Sequence, residues 1–179
     1  MSGFVLWFTG LSGAGKTTIA NIVEAELEQR GHLVDHLDGD IVRTHLSKGL
    51  GFSKEDRDTN IARIGWVASR LARAGAAVVV SAISPYEAAR RHARSLVEPH
   101  APFVEVYVAT PLEECARRDP KGLYAAAFAG EIEDFTGVSA PYETPSSPEV
   151  VLDTTGVSPS ESAETVLARL AALNVVVPA

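Results

Sequence analysis

A glycine-rich segment near the N-terminus reads Gly10-Leu11-Ser12-Gly13-Ala14-Gly15-Lys16-Thr17. It fits the pattern G-x-x-x-x-G-K-[ST] at every fixed position. Residues 4–8 before it form an apolar run with the length of a buried strand, and residues 18–30 after it carry apolar side chains at helical spacing. The segment therefore lies between a predicted strand and a predicted helix, which is the setting of a phosphate-binding loop.

The residue types of this loop suit the phosphates of a nucleotide. Its glycines let several backbone N–H groups converge on one anion, and the helix that follows directs its positive end to the same point. Lys16 can reach the β- and γ-phosphates, and the Thr17 hydroxyl can bind magnesium. We therefore predict that the loop binds the phosphates of a nucleotide, although the loop alone does not show what the phosphate is used for. The alternative, a chance glycine-rich turn, is disfavoured by the flanking elements.

The composition predicts one globular domain over residues 1–179. Hydrophobic residues make up 46% of the chain and charged residues 22%, which is ordinary for a soluble domain. The net charge of −7 argues against a general nucleic-acid-binding surface, which needs a basic face. A single cysteine, Cys115, excludes an internal disulfide, and the first apolar run is too short for a signal peptide or a membrane span. We expect a cytoplasmic protein with no nucleic-acid or membrane partner.

Strand and helix patterns alternate along the rest of the chain. The further predicted strands are residues 33–37, 76–80, 103–109 and 149–152, and the further predicted helices are residues 41–47, 53–75, 85–97, 111–118 and a last helix from residue 158. Ser53 and Ser158 are predicted helix caps because acidic residues follow them within the first turn. The alternation predicts a parallel five-stranded sheet between two layers of helices, a three-layer α/β/α fold of the P-loop kinase type.

Residues 119–147, called the lid below, fit neither pattern. They combine short helical pieces with several glycines and prolines, and a long irregular segment inside a compact domain is usually functional or disordered. Three aromatic residues, Tyr124, Phe135 and Tyr142, predict that the lid packs against the domain.

Two aspartates, Asp38 and Asp40, follow the second predicted strand. At that end of a parallel sheet, carboxylates can hold magnesium through water and can orient or deprotonate an acceptor hydroxyl. Asp40 can also cap the next helix. The carboxylate pair, the short chain and the lid favour a small-molecule kinase over an NTPase that hydrolyses its nucleotide. Arg57 is predicted in the first turn of a helix, where the helix dipole disfavours a cation, and this conflict favours a role in binding an anion.

Several motifs together resemble those of the adenylyl-sulfate kinase family. They are GLSGAGKTT at residues 10–18, DGDIVR at 38–43, GFSKEDRDTN at 51–60, SPY at 84–86, DPKGLY at 119–124, FTG at 135–137 and APYE at 140–143. The phosphate loop is common to many families, whereas the motifs at 51–60 and 119–124 are specific to this one. The resemblance covers nearly the whole chain in the family's order and spacing.

The resemblance implies transfer of the ATP γ-phosphate to the ribose 3′-hydroxyl of adenylyl sulfate (APS), which gives 3′-phosphoadenylyl sulfate (PAPS) and ADP in sulfate activation. It implies ATP binding by Gly10, Leu11, Ser12, Gly13, Ala14, Gly15, Lys16, Thr17, Thr18, Arg118, Thr155 and Gly156. It implies APS binding by Asp38, Asp40, Arg43, Phe52, Arg57, Asn60, Ile83, Ser84, Lys121, Leu123 and Phe135. Thr17 and Asp38 are the predicted Mg²⁺ residues.

The implied catalytic residues are Asp38, Lys16, Asp40, Lys121 and Ser84. Asp38 is expected to orient or deprotonate the 3′-hydroxyl, although the division of work between Asp38 and Asp40 stays open. Lys16, Mg²⁺ and Lys121 are expected to neutralise the moving phosphoryl group. Ser84 matches a serine described in the family as a phosphorylated intermediate, but in-line transfer needs no covalent step. We expect Ser84 instead to cap the next helix and contact the substrate.

Two other functions stay open: a P-loop kinase that acts on another small hydroxyl acceptor, such as a sugar acid or nucleoside, and a nucleotide-binding module without catalysis. The family resemblance also implies a homodimer. With few residues before the first strand and no sulfurylase-like domain after the last helix, we expect a stand-alone enzyme or an excised kinase domain.

Overall fold

Five parallel strands form the centre of the molecule in a computed structural model that describes residues 3–176. The strands are β1 (Phe4–Thr9), β2 (Val34–Asp38), β3 (Ala77–Ser81), β4 (Phe103–Val108) and β5 (Val150–Leu152). They lie in the order β2-β3-β1-β4-β5, with Leu6 of β1 opposite Val79 of β3 and Val104 of β4. The predicted five-stranded parallel sheet is confirmed.

Seven helices surround this sheet within the described residues. They are α1 (Lys16–Gln29), α2 (Gly39–His45), α3 (Lys54–Arg73), α4 (Glu87–Val97), α5 (Leu112–Arg118), α6 (Leu123–Phe128) and α7 (Pro159–Ala172). Because alternate side chains of a strand point to opposite faces, Leu6 packs in a core with α1 and α7, whereas Trp7 packs in a second core with α3 and α4. Two cores on the two faces of one sheet confirm the three-layer fold.

β1 is buried along its whole length because both of its faces are covered and both of its edges are paired. Each Val, Leu or Phe side chain that it buries contributes about 1.5–3 kcal/mol of transfer free energy. The loop that follows β1 is therefore anchored at one end in the most protected part of the fold.

Two of the predicted helix N-caps are confirmed, and two others are wrong. Ser53 accepts a hydrogen bond from Asp56 N–H at 3.1 Å, and Ser158 forms a capping box with Glu161. The predicted cap by Asp40 is wrong: α2 begins at Gly39, and Asp38 caps it by accepting from the Asp40 N–H at 2.9 Å.

The predicted cap by Ser84 is also wrong, because α4 begins two residues later than expected. Pro85 follows a residue in a left-handed conformation, Ser84 with φ 48°, and Tyr86 is still extended. The chain therefore turns once more before α4 starts at Glu87.

The lid packs on the domain through its three aromatic residues, as predicted. The Tyr124 side chain is buried and donates a hydrogen bond to the Ser12 carbonyl at 2.7 Å. Phe135 meets the Tyr124 ring edge-on at 5.0 Å between centroids, and the Tyr142 hydroxyl lies 2.8 Å from Thr9 Oγ1. Across residues 3–176, none of the helices is both long and apolar enough to span a bilayer.

Candidate active site

A cavity of about 820 Å³ opens where β1, β2 and β3 end. Ligands of open parallel sheets bind at the carboxyl ends of the strands, so its position is the expected one for this fold. The phosphate loop, the start of α2, the start of α3 and the lid form its walls. The predicted site residues that line it are Ser12, Gly13, Gly15, Lys16, Thr17, Thr18, Asp38, Asp40, Arg43, Phe52, Arg57, Asn60, Ile83, Ser84, Arg118, Lys121, Leu123 and Phe135.

The phosphate loop has the backbone conformation that its glycines allow. Gly13 and Gly15 have φ values of 72° and 108°, in the left-handed region that favours glycine. A Cβ atom on Gly10 would lie 2.5 Å from the Val108 carbonyl oxygen, so the loop passes too close to β4 for any side chain there. No side chain caps α1, so the N–H groups of its first turn stay available to an anion.

Lys16 is held inside this loop. Its ammonium donates to the Gly10 carbonyl at 2.9 Å and to the Leu11 carbonyl at 2.7 Å. Burial lowers the pKa of Lys16 to about 8, because the charged form loses its hydration. A phosphate at the loop would favour the charged form again.

Asp38 accepts hydrogen bonds on both carboxylate oxygens. Oδ1 caps α2, and Oδ2 accepts from the Thr17 and Ser81 hydroxyls, each at 2.9 Å. Partial burial acts to raise the pKa of Asp38, but the hydrogen bonds from Thr17, Ser81 and the backbone outweigh it and hold the pKa below its ordinary value. Asp38 is therefore an ionised acceptor near neutral pH.

The oxygen atoms of Thr17 and Asp38 fit a Mg²⁺ ion. Among residues 3–176, no group of three or more His, Cys, Asp or Glu side chains is placed to hold a metal. Mg²⁺ usually binds through one or two protein oxygens, with phosphates and water as its other ligands. The hydroxyl and carboxylate, 2.9 Å apart beside the phosphate loop, match that requirement.

Asp40 and Lys121 approach each other from opposite sides of the cavity. Lys121 Nζ lies 2.5 Å from Asp40 Oδ2, and both side chains are largely exposed. Just before Lys121, the Asp119 carboxylate accepts from the N–H groups of Tyr124 and Ala125, which fixes the start of α6. The ion pair thus joins the lid to α2.

Two arginines and an aromatic ring form the wall opposite the phosphate loop. Phe52 is 60% exposed, and the Arg43 and Arg57 guanidinium carbons lie 4.4 Å and 5.8 Å from its ring centroid. Burial and the nearby Arg57 lower the pKa of Arg43, so an anion between the two cations would relieve their repulsion. Asn60 is buried, and its Oδ1 has no hydrogen-bond partner among residues 3–176. A polar ligand in the cavity can supply that partner.

Arg57 is oriented by the lid as well as by its own helix. It donates to the Phe52 carbonyl at 2.7 Å, and it also donates to the Thr136 hydroxyl and the Asp134 carbonyl. Arg63, which follows Arg57 on α3, donates instead to the Leu46 carbonyl and does not line the cavity.

Ser84 is fixed by polar contacts on both its side chain and its backbone. Its hydroxyl accepts from Trp7 Nε1 at 3.0 Å and donates to the Ala82 carbonyl at 3.3 Å. Its carbonyl accepts from Arg90 Nη1 at 2.6 Å. No carboxylate or imidazole within residues 3–176 contacts the hydroxyl, so no side chain there is placed to activate it as a nucleophile.

Arg90 is a buried cation below this part of the cavity wall. Besides Ser84, it donates to the Glu143 carbonyl at the end of the lid and to the Glu87 carboxylate, each at 2.6 Å, and its Nε lies 3.0 Å from Glu105 Oε1. One guanidinium thereby connects the cavity wall, the lid and β4. The sequence carried no signal for this contact, because an arginine on a helix is usually exposed.

The adenine end of the predicted ATP site differs in detail from expectation. Thr155 and Gly156 are exposed and do not line the cavity; Thr154, Val157 and Pro159 line it beside Arg118. Arg118 donates to the Thr154 hydroxyl at 2.8 Å and to its carbonyl at 3.0 Å.

Within the loop, Gly10, Leu11 and Ala14 do not line the cavity either. Gly10 and Ala14 are buried residues of the loop, and Leu11 faces a separate surface depression.

Further polar residues at the cavity were not predicted. Ser81, Thr136 and Thr154 line it and bond directly to predicted residues. Ser81 could have been found by aligning strand ends, since it pairs with Asp38 in the parallel register of β2 and β3. Thr136 lies within the FTG motif, which indicates the family but does not by itself indicate a contact with Arg57.

Comparison with known proteins gives consistent results. The family model described as adenylylsulphate kinase matches residues 2–153. The adenylyl-sulfate kinase of Picosynechococcus sp. is 53% identical over 98% of this chain and 98% of its own length. A probable bifunctional SAT/APS kinase 2 of Sorangium cellulosum is 57% identical over 98% of this chain, which spans only 30% of that longer relative.

A solved structure has the same fold over nearly the whole chain. The Mycobacterium tuberculosis APS kinase CysC in complex with AMPPNP and APS superposes with a TM-score of 0.91 and 45% identity, and the match covers 94% of this chain and 98% of that one. The family model, the curated relatives and the solved structure agree, and this chain belongs to the adenylyl-sulfate kinase family.

Proposed function

We propose that this chain is an adenylyl-sulfate kinase, which transfers the γ-phosphoryl group of ATP to the ribose 3′-hydroxyl of APS. The 3′-oxygen forms a bond to the γ-phosphorus, the bond from that phosphorus to the β–γ bridging oxygen breaks, and the hydroxyl proton is released. The products are PAPS and ADP. The observation that carries the proposal is one cavity with a phosphate loop on one side, two arginines and Phe52 on the other, and Asp38 between them. The Mycobacterium tuberculosis relative, solved with AMPPNP and APS, supports two such ligands in this fold.

The donor half of the cavity binds ATP. The N–H groups at the start of α1 and the Lys16 ammonium hold the phosphates, and Arg118 with Thr154 and Val157 bounds the adenine end. Mg²⁺, when bound, neutralises the phosphate charge, and Thr17 and Asp38 are the residues that would hold it.

The acceptor half binds APS. Its adenine stacks on the exposed face of Phe52, and Arg43 and Arg57 bind the phosphosulfate anion. The unpartnered Asn60 oxygen accepts a hydrogen bond from the ligand. Ile83 and Ser84 shape the wall beside it, with Leu123 and Phe135 contributed by the lid.

Asp38 orients the acceptor hydroxyl rather than acting as a strong base. Its lowered pKa keeps it ionised, so it accepts a hydrogen bond from the 3′-hydroxyl and takes the proton late. A loose phosphoryl-transfer transition state needs little help from a base, and a well-oriented acceptor contributes more. We assign Asp40 the different task of binding Lys121.

The lid completes the site. When ATP and APS are bound, Lys121 leaves Asp40 for the transferring phosphoryl group, where its charge is worth more because the closed cavity excludes water. Ser84 contacts substrate from the wall and forms no phosphorylated intermediate.

A coupled assay of ADP release tests the function. With ATP and Mg²⁺ present, we expect APS to stimulate ADP release strongly, and a nucleoside or a sugar acid to have no effect. Stimulation by one of those acceptors in place of APS would mean that this chain is a kinase of a different small molecule. Tight ATP binding with no transfer to any acceptor would favour a non-catalytic module.

The oligomeric state and the location of the protein are also part of the proposal. We expect a homodimer, to be checked by light scattering of the purified chain. A cytoplasmic location is consistent with the buried free thiol of Cys115, and fractionation of cells that express the tagged chain would test it.

A further inference from the structure

Four polar side chains form a continuous hydrogen-bonded series that ends at Asp38. Glu24 Oε2 on α1 lies 2.9 Å from His36 Nδ1, and His36 Nε2 on β2 lies 2.8 Å from Ser81 Oγ. Ser81 Oγ in turn lies 2.9 Å from Asp38 Oδ2. Neither the phosphate loop nor the wall formed by Arg43, Phe52 and Arg57 contributes to the first two contacts.

The sheet geometry explains why these residues meet. Ser81 ends β3 directly opposite Asp38, which ends the parallel strand β2. His36 lies two residues before Asp38 and therefore on the same face of β2, the face that α1 covers. Glu24 on α1 reaches the ring from that side.

The donors and acceptors of the series can be assigned. The Ser81 hydroxyl has one hydrogen and donates it to Asp38, because the Asp38 carboxylate can only accept. Ser81 then accepts from His36 Nε2, and the Glu24 carboxylate accepts from His36 Nδ1, so in this arrangement His36 carries a hydrogen on both ring nitrogens. The other hydrogen bonds of the series are therefore consistent with a Ser81 hydroxyl that donates to Asp38.

Two hydroxyl groups donate to Asp38 Oδ2, and we expect the hydrogen bond from Ser81 to persist when ligands bind. Thr17 belongs to the phosphate loop, and its hydroxyl is open to ligands. Ser81 is 3% exposed and is held by His36. Since Oδ1 already caps α2, the Ser81 hydrogen bond on Oδ2 sets the plane of the carboxylate.

We propose that Ser81, His36 and Glu24 are positioning residues that hold the Asp38 carboxylate in the plane that meets the acceptor hydroxyl. The inference rests on the proposed phosphoryl transfer and adds three residues that act on the reaction through Asp38. Outer partners of this kind commonly change activity about 10- to 100-fold when they are removed.

Two variants of Ser81 whose new side chains have nearly the same shape separate the orientation of Asp38 from packing. Ser81→Val removes the hydroxyl, whereas Ser81→Thr keeps it with a side chain of the same shape. We expect S81V to lower kcat about 10- to 100-fold with the KM values for ATP and APS close to wild type, and S81T to retain most of kcat. If S81V does not fold, Ser81→Ala removes the hydroxyl without adding volume.

A pair of variants tests His36 in the same way. His36→Gln keeps an N–H donor near the Nε2 position, and His36→Leu does not. We expect H36Q to retain more kcat than H36L, and the melting temperatures of the two variants show whether a folding defect accounts for the difference. Equal kcat values would overturn the role of His36.

The double variant Asp38→Asn with Ser81→Val decides whether Ser81 acts through Asp38. We expect no further loss of kcat beyond that of D38N, because residues that act as a unit are not additive. Additive losses, or a wild-type kcat in S81V, would overturn the inference. A crystal structure of S81V with the Asp38 plane unchanged would do so as well. These results differ from failure of the proposed function, in which the wild-type chain itself releases no ADP in response to APS.

Discussion

Lys121 of the lid and Asp40 of α2 form an ion pair 2.5 Å apart at the edge of the ligand cavity. Their side chains are 55% and 77% exposed, so the pair contributes less than about 1 kcal/mol to folding stability. Its importance lies in what it connects: the lid carries the cation, and the element after β2 carries the anion. In the proposed reaction, the same cation moves from Asp40 to the transferring phosphoryl group.

Lys121→Gln should therefore separate catalysis from stability. We expect kcat to fall about 100-fold or more, because a cation aimed at developing charge is lost, while the melting temperature changes little. The control is Lys54→Gln, which breaks an exposed Lys54–Asp58 pair of the same 2.5 Å length away from the cavity. Equal kcat values for the two variants would refute the role of Lys121.

Asp38→Asn tests the orienting carboxylate. Asparagine caps a helix about as well as aspartate, so the fold and the start of α2 should persist. We expect kcat to fall about 100- to 10,000-fold, since the charged acceptor for the 3′-hydroxyl is lost. Stopped-flow ADP release, with circular dichroism as the check on folding, measures both. Near-normal turnover would exclude Asp38 from the reaction.

The lowered pKa of Lys16 predicts how nucleotide binding depends on pH. Burial holds this pKa at about 8 in the free protein, and bound phosphates stabilise the charged form and raise it. Above pH 8 the protein must therefore take up a proton to bind ATP, so affinity is highest below pH 8 and falls as pH rises. Each pH unit costs up to about tenfold in Kd until the pKa of the complex is reached.

Calorimetry in buffers of different ionisation enthalpy measures that proton directly. We expect proton uptake at pH 9 and almost none at pH 7. Lys16→Arg keeps its charge throughout this range, so its affinity should lose the pH dependence even if binding is weaker. A Kd that is constant from pH 7 to pH 9 in the wild-type chain would contradict the prediction.

Arg90→Lys tests the connection between the lid and the cavity wall. Lysine keeps the charge but cannot donate hydrogen bonds to Ser84, Glu87 and Glu143 at the same time. The backbone at Ser84 should therefore be held less firmly. We expect the KM for APS to rise about tenfold or more, with ATP affinity unchanged.

Arg94→Lys is the matched control for that experiment. Arg94 lies one turn further along α4 and pairs with Glu149 at 2.9 Å, but it touches no residue of the cavity wall. It should lose stability without a change in the KM for APS. The same rise in KM in both variants would mean that Arg90 acts only through general stability.

The fold and part of the site follow from local patterns. An apolar strand, a glycine-rich loop and an amphipathic helix are each defined by neighbours in the chain, and alternating strands and helices leave few topologies for a parallel sheet. The caps at Ser53 and Ser158 were predictable for the same reason. The caps assigned to Asp40 and Ser84 were wrong because each depended on the residue at which the next helix begins, and helix boundaries are the least certain part of a sequence pattern.

What the chain determined by itself is the donor loop, the sheet and the motifs that carry the family resemblance, since each depends on residue types at short spacing. What only the tertiary structure decided is how distant residues share one task. Ser81 and His36 are 45 residues apart, and Arg57 and Thr136 are 79 apart. Such pairs meet only after strand register and helix packing bring them together, and hydrogen bonds form only at that final distance and angle. The orientation of the Asp38 carboxylate and the hydrogen bonds that fix the Arg57 side chain are therefore properties of the folded chain.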